Sequence, residues 1–115
     1  EINGVKLFAL KFKDKGANSL REIADKIKDK NESCAVIIAS DLGDKVLFVS
    51  AVTKDLVQKG IHAGNMVKKA AMVAGGGGGG RPDFAQAGGK NPEKADEAIN
   101  EVKKMIFLVA NDNVL

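Results

Sequence analysis

The sequence predicts an α/β (α+β) domain in which a small mixed β-sheet is layered with helices in the order β-α-β-β-α-α. Three observations predict it. Two continuous apolar runs with β-branched residues, Cys34 to Ser40 and Lys45 to Val52, have the composition of covered central strands. A βα start precedes them, and a long amphipathic stripe closes the chain. At 115 residues, with 44% hydrophobic and 29% charged content, the chain is one globular domain with room for a core.

Taken in order, Val5 to Phe12 is rich in β-formers and reads as a strand. Ser19-Leu20-Arg21-Glu22 has the form of a capping box, opening a helix with Leu20, Ile23, Ala24 and Ile27 on one face. Asp41-Leu42-Gly43-Asp44 has hairpin composition, and turn chemistry accounts for both of its carboxylates without a catalytic role. Thr53 caps a short helix that Gly60 stops, and His62-Ala63-Gly64-Asn65 leads into a second helical stretch, Met66 to Ala74. Asn91 as cap and Pro92 at the first helical position start the last helix, which runs to about Ala110. Its stripe of Ala95, Ala98, Ile99, Val102, Ile106 and Val109 packs either on the sheet or on a partner.

Several function classes are excluded. No apolar run approaches the roughly 20 residues that a bilayer needs, so no membrane partner is expected, and no signal-peptide pattern is present. Cys34 opens an apolar run and reads as a core residue, and a single cysteine with a single His62 gives a metal nothing to hold. Asn31-Glu32-Ser33 fits a glycosylation sequon by chance. No nucleophile stands in a recognisable arrangement with a base, so no catalytic residue is expected. The chain begins at Glu1 without an initiator methionine, and the expectation is a C-terminal domain, residues 1–115, of something longer.

The stretch from Gly75 to Gly89 carries the functional signal. Six consecutive glycines, Gly75, Gly76, Gly77, Gly78, Gly79 and Gly80, give up side chains at roughly 0.5 to 1 kcal/mol each relative to alanine. Bare backbone can lie flat against a phosphate, ribose or base. Arg81-Pro82-Asp83-Phe84-Ala85-Gln86-Ala87 is not linker composition, so the glycines form an ordered loop. Gly75, Gly77 and Gly80 satisfy Gly-x-Gly-x-x-Gly only by repetition, because a dinucleotide fingerprint follows a strand and this run follows a helix. Arg81-Pro82 also replaces the Lys-Ser or Lys-Thr of a phosphate-binding loop.

Charge concentrates in the same region. Residues 61–90 hold Lys68, Lys69, Arg81 and Lys90 against Asp83 alone, while the rest of the chain balances at 14 cations and 14 anions. That placement suits a polyanion. With no tryptophan or tyrosine and 4% aromatics there is little stacking platform for single strands, so structured RNA is the better match. Arg81 either takes a phosphate or holds the loop through Asp83. Gln86 either reads a base edge or bonds the loop, His62 either caps the following helix or faces the ligand, and Phe84 either stacks on a base or packs in the core.

His62-Ala63-Gly64-Asn65, Lys68-Lys69 and the run from Gly75 to Gly89 resemble the C-terminal domain of alanyl-tRNA synthetases, over essentially the full chain. That domain is similar to the DHH-associated domain of DHH-family phosphoesterases, in which histidine typically follows the glycines where this chain has Arg81-Pro82-Asp83. Phe84 stands where methionine is expected, and Gly77 where the family often has a polar residue. The resemblance implies a non-catalytic, cytoplasmic domain that binds the elbow of alanine tRNA and couples the aminoacylation and editing domains of the same chain. It implies no cofactor in these residues, with ATP, magnesium and zinc used elsewhere in the parent. The implied RNA face is Gly75 to Gly80 with Arg81, supported by Lys68, Lys69, His62, Asn65 and Gln86. Two alternatives remain: the substrate-binding domain of a DHH phosphoesterase acting on short oligonucleotides, and an oligomerisation module self-associating through Met105, Ile106 and Val109.

Overall fold

The chain runs β1 (Leu7–Lys13), α1 (Ala17–Lys30), β2 (Ala35–Asp41), β3 (Val46–Val52), α2 (Lys54–Gln58), α3 (Ala63–Val73), β4 (Gly77–Gly80), β5 (Phe84–Gly89), a 3-10 turn (Pro92–Lys94) and α4 (Ala95–Val114). The computed structural model describes residue 2 and residues 4–114, with side chains as far as Ala110. Five strands form one mixed sheet in the order β1-β2-β3-β5-β4, with β1 parallel to β2 and the remaining pairs antiparallel. The parallel pair is the βαβ unit closed by α1, as parallel strands require a crossover.

The apolar runs of β2 and β3 are central strands, covered on both faces. On one face Ala35, Ile37, Ala39, Phe48 and Val52 join Val67, Ala70 and Ala71 of α3 and Ala98, Val102 and Ile106 of α4. On the other face Val36, Ile38, Val49 and Ala51 pack with Leu20 and Ala24 of α1. The strict alternation along β2 explains why an unbroken apolar run is needed there. The stripe on α4 is consumed by this core, with Ile106 buried and Met105 and Val109 half-buried, so it is not a free self-association face.

Several helix starts differ from the sequence reading in position or capping. Helix α1 begins at Ala17 after an extended Gly16, so Ser19 lies inside it and the capping box is not formed. The link before it is clamped: Ser40 Oγ accepts from the Lys15 amide (3.1 Å) and donates to the Lys15 carbonyl (2.8 Å). The chain can turn helical as soon as it leaves that clamp. Thr53 precedes α2 without capping it, because its hydroxyl is held by the Asp55 carboxylate and accepts from the Cys34 amide. Asn91 likewise makes no side-chain cap, and a 3-10 turn comes before α4.

The larger difference lies at the glycine run, where the sequence reading has a loop and the structure has an edge hairpin, β4–β5. Neither strand carries the β-branched residues that announce a strand. Pairing is imposed from outside: β5 completes the open edge of β3 from Val46↔Gly89 to Ala51↔Phe84, and β4 follows it.

Two substitutions separate glycines that this hairpin needs from glycines it does not. A Cβ on Gly76 would collide with the Gly88 carbonyl oxygen, whereas one on Gly79 would meet nothing within 4 Å. In urea denaturation Gly76→Ala is expected to lose at least about 2 kcal/mol. Gly79→Ala should stay within about 1 kcal/mol of the parent, on the stabilising side.

Candidate nucleic-acid interface

The turn Arg81-Pro82-Asp83 that joins β4 to β5 is held by its backbone. Its three carbonyls accept from the amides of Gly64 (3.1 Å), Ala63 (2.7 Å) and Val52 (2.9 Å), and the Arg81 amide donates to Phe84 (3.1 Å). Two of these bonds use the first amides of α3. The next amide, that of Asn65, donates to His62 Nδ1 at 3.3 Å, and Met66 donates to the His62 carbonyl. His62 is therefore the cap of α3, and the helix begins at Ala63 rather than Met66 because of it. With these four amides engaged, the N-terminus of α3 offers no ready anion site.

The glycines divide into two sets. Gly75, at φ +80°, is the left-handed residue of a Schellman ending, with Gly76 donating to Ala71 (2.7 Å) and Gly75 to Met72 (3.2 Å). Cβ atoms on Gly76, Gly78 and Gly80 would run into Gly88, Ala87 and Ala85 of the neighbouring strand. Gly64 is tied to the same approach, since its Cβ would lie 2.5 Å from the Gly80 carbonyl. Gly77 and Gly79 are different, because a Cβ on either would meet nothing within 4 Å and neither has a positive φ. Packing does not require glycine there. By strand alternation these two share a face with their cross-strand partners Gly88 and Gln86. The result is an open backbone shelf with the exposed Gln86 as its one projecting side chain.

The cations predicted to serve that shelf are exposed. Arg81 stands exposed at the tip of the hairpin, its Nε 3.4 Å from Asp83 Oδ1. Side-chain exposures of 74% and 49% put this pair in water, where it contributes little to stability. The carbonyls of the turn hold it, and the Arg81–Asp83 pair is a solvent-exposed contact at its tip. On α3, Lys68 is exposed one turn on from Gly64, whose Cβ would meet Gly80. Lys69 and Asn65 are also exposed on α3. Phe84 is half-buried against the α1-side core with the Arg21 guanidinium 5.0 Å over its ring, so the core reading holds and one ring face is taken.

The arrangement has little capacity for bond-making chemistry. Cys34 is fully buried, and burial pushes its thiol pKa up despite the nearby Lys28 and Lys6. Asp55 is held below the usual carboxylate range by hydrogen bonds from Ser33 and Thr53, which occupy it structurally. Among the described residues no three of His, Cys, Asp or Glu come together as metal ligands, and no helix is long and apolar enough to cross a membrane. On the outward face of β5, sequence reasoning named Gln86 but not Gly88; the alternation of Phe84, Gln86 and Gly88 with Ala85, Ala87 and Gly89 was the available signal.

A model of the DHHA1 domain matches residues 4–107. The chain belongs to the DHHA1 family. In structure this DHHA1 domain is similar to the C-Ala domain of Aquifex aeolicus alanyl-tRNA synthetase, with a TM-score of 0.86 at 34% identity, covering 93% of this chain and 96% of that one. A DHH-domain structure from a family of ribosomal proteins shares the fold alone, at a TM-score of 0.51 and 20% identity, over 74% of this chain and 20% of that one. In sequence it is 51% identical to an alanine–tRNA ligase of Natranaerobius thermophilus and 49% identical to one of Bacillus subtilis. Each match covers 92% of this chain and 12% of the relative, so the DHHA1 domain spans about an eighth of those proteins.

Because the turn is fixed by backbone bonds, Arg81→Ala is expected to change stability by less than about 1 kcal/mol. Thermal and urea unfolding of the purified domain check this, and a larger loss would make Arg81 a structural brace.

Proposed function

We propose that this DHHA1 domain binds structured RNA, docking the elbow of alanine tRNA on the edge hairpin and holding it for the aminoacylation and editing domains of a longer alanine–tRNA ligase chain. The observation that supports the reading most is the pair Gly77 and Gly79, bare where packing does not demand it, beside an exposed Arg81 on a clamped turn. Folded RNA is recognised largely through shape, phosphates and 2′-hydroxyls, and a flat backbone shelf with a guanidinium fork and an exposed lysine on α3 supplies the matching groups. Likeness to a C-Ala domain over nearly its whole length supports the same assignment.

In this reading the domain contributes binding alone. The ATP, magnesium and zinc of a whole ligase are read as bound outside these residues, where the one histidine caps α3 and the one thiol is buried. Their sites belong to other parts of the parent.

The test compares intact alanine tRNA with its acceptor-arm minihelix, which lacks the elbow. Intact tRNA is expected to bind with a log–log salt slope of roughly −3, from about three phosphate contacts at ~0.9 each. The minihelix should bind at least about tenfold more weakly. Equal binding of the two would place recognition outside the elbow.

A further inference from the structure

Beyond the shelf, on the same face of the sheet, the end of β5 opens into a cavity of about 570 Å³ between the start of α1, the β2–β3 turn and the edge hairpin. Its lining includes Leu42 and Leu47, Ala17, Gly88, and two lysines, Lys45 and Lys90. Leu47 is the cross-strand partner of Gly88, which is itself the partner of Gly77, so shelf and cavity are continuous along the strand register.

We propose that this cavity takes one unpaired nucleotide of the bound RNA, its base against the aliphatic floor and its phosphate between Lys45 and Lys90. This rests on the RNA-binding reading above. The volume lies in the range of small-ligand pockets, and the mixture of apolar wall with a few polar groups is what such pockets share. Charge complementarity is one-sided. Lys45 and Lys90 are exposed, neither enters any of the ion pairs found among the described residues, and no carboxylate lines the cavity. The acids nearest in sequence stay outside the lining: exposed Asp44 beside Lys45, Asp41, whose Oδ1 accepts from the Gly43 amide, and exposed Glu93 after Lys90. Absent side chains at Gly77 and Gly88 leave a path along the sheet by which backbone leaving the cavity reaches Arg81 at the far end of β4. The recognition surface therefore extends towards Lys45, two strands from the glycine run.

The experiment measures binding of intact alanine tRNA to the purified chain, to Arg81→Ala and to three further variants, with melting curves for each. The doubly substituted Lys45→Ala/Lys90→Ala should bind roughly tenfold more weakly and lower the salt slope by about 2, the value for two lost phosphate contacts. Gly88→Val fills the cavity, and the site admits a Cβ at an ordinary 3.5 Å from the Val46 carbonyl. It should weaken binding by roughly fivefold or more with the slope unchanged, since apolar contact with the base and not charge is lost. Should Gly88→Val fail to fold, Ala17→Leu fills the same space from the helix and is expected to act alike. Lys103→Ala on α4 is the control and should bind as the parent. If the lysine variant weakens binding but the filled cavity does not, the lysines are a generic patch and the nucleotide pocket is overturned. If neither variant changes binding while Arg81→Ala does, the pocket is wrong and the RNA-binding reading stands. Absence of tRNA binding by the parent chain sinks both.

Discussion

Between α3 and the β4–β5 hairpin there is no room for a methyl group at either end, and this close approach determines most of what the domain can present. At one end Gly64 faces the Gly80 carbonyl; at the other Gly89 lies against Ala74. Within the hairpin itself, Gly76 is pressed against Gly88. Hydrogen bonds lock both ends, with Ala63 and Gly64 donating into the turn and Lys90 and Asn91 donating to the Ala74 carbonyl. The helix and the edge strand are thus one unit. A strand with no side chains would ordinarily be entropically poor and free to slip, and these terminal clamps fix its register.

That constraint explains why so many glycines follow one another and why they are not equivalent. Gly75 ends a helix, Gly76, Gly78 and Gly80 permit close pairing, and Gly77 and Gly79 answer to neither demand. The fold thereby holds an open backbone edge still while leaving its outer face uncovered. A positioned shelf has lost its conformational entropy before a partner arrives, which favours recognition of a rigid, folded polyanion. Arg81 stands in water at the tip of that strand.

How far this could be read from sequence depended on side chains. The runs of β2 and β3, the face of α1 and the stripe of α4 announced themselves through branched and periodic apolar residues, and each lies where that pattern places it. The hairpin did not, because glycine and alanine carry almost no periodic signal and its pairing is dictated by β3 and α3, far away in sequence. The start of α1 was misread for a related reason: Ser19 has the right chemistry for a cap, but the clamp on Lys15 comes from Ser40, 25 residues on. His62 was legible as a cap, since the bond it makes is local. The chemical character of the candidate site, bare backbone beside Arg81, was visible in the sequence; which glycines packing requires and which it leaves free required the fold.

Hydrogen–deuterium exchange of the chain, alone and with intact alanine tRNA, tests most directly whether the edge hairpin is the contact surface. The account predicts slowed exchange across residues 76–90, with the helix from Ala95 onward unaffected. Protection confined to α4, with the glycine strand exchanging as freely as before, would contradict it.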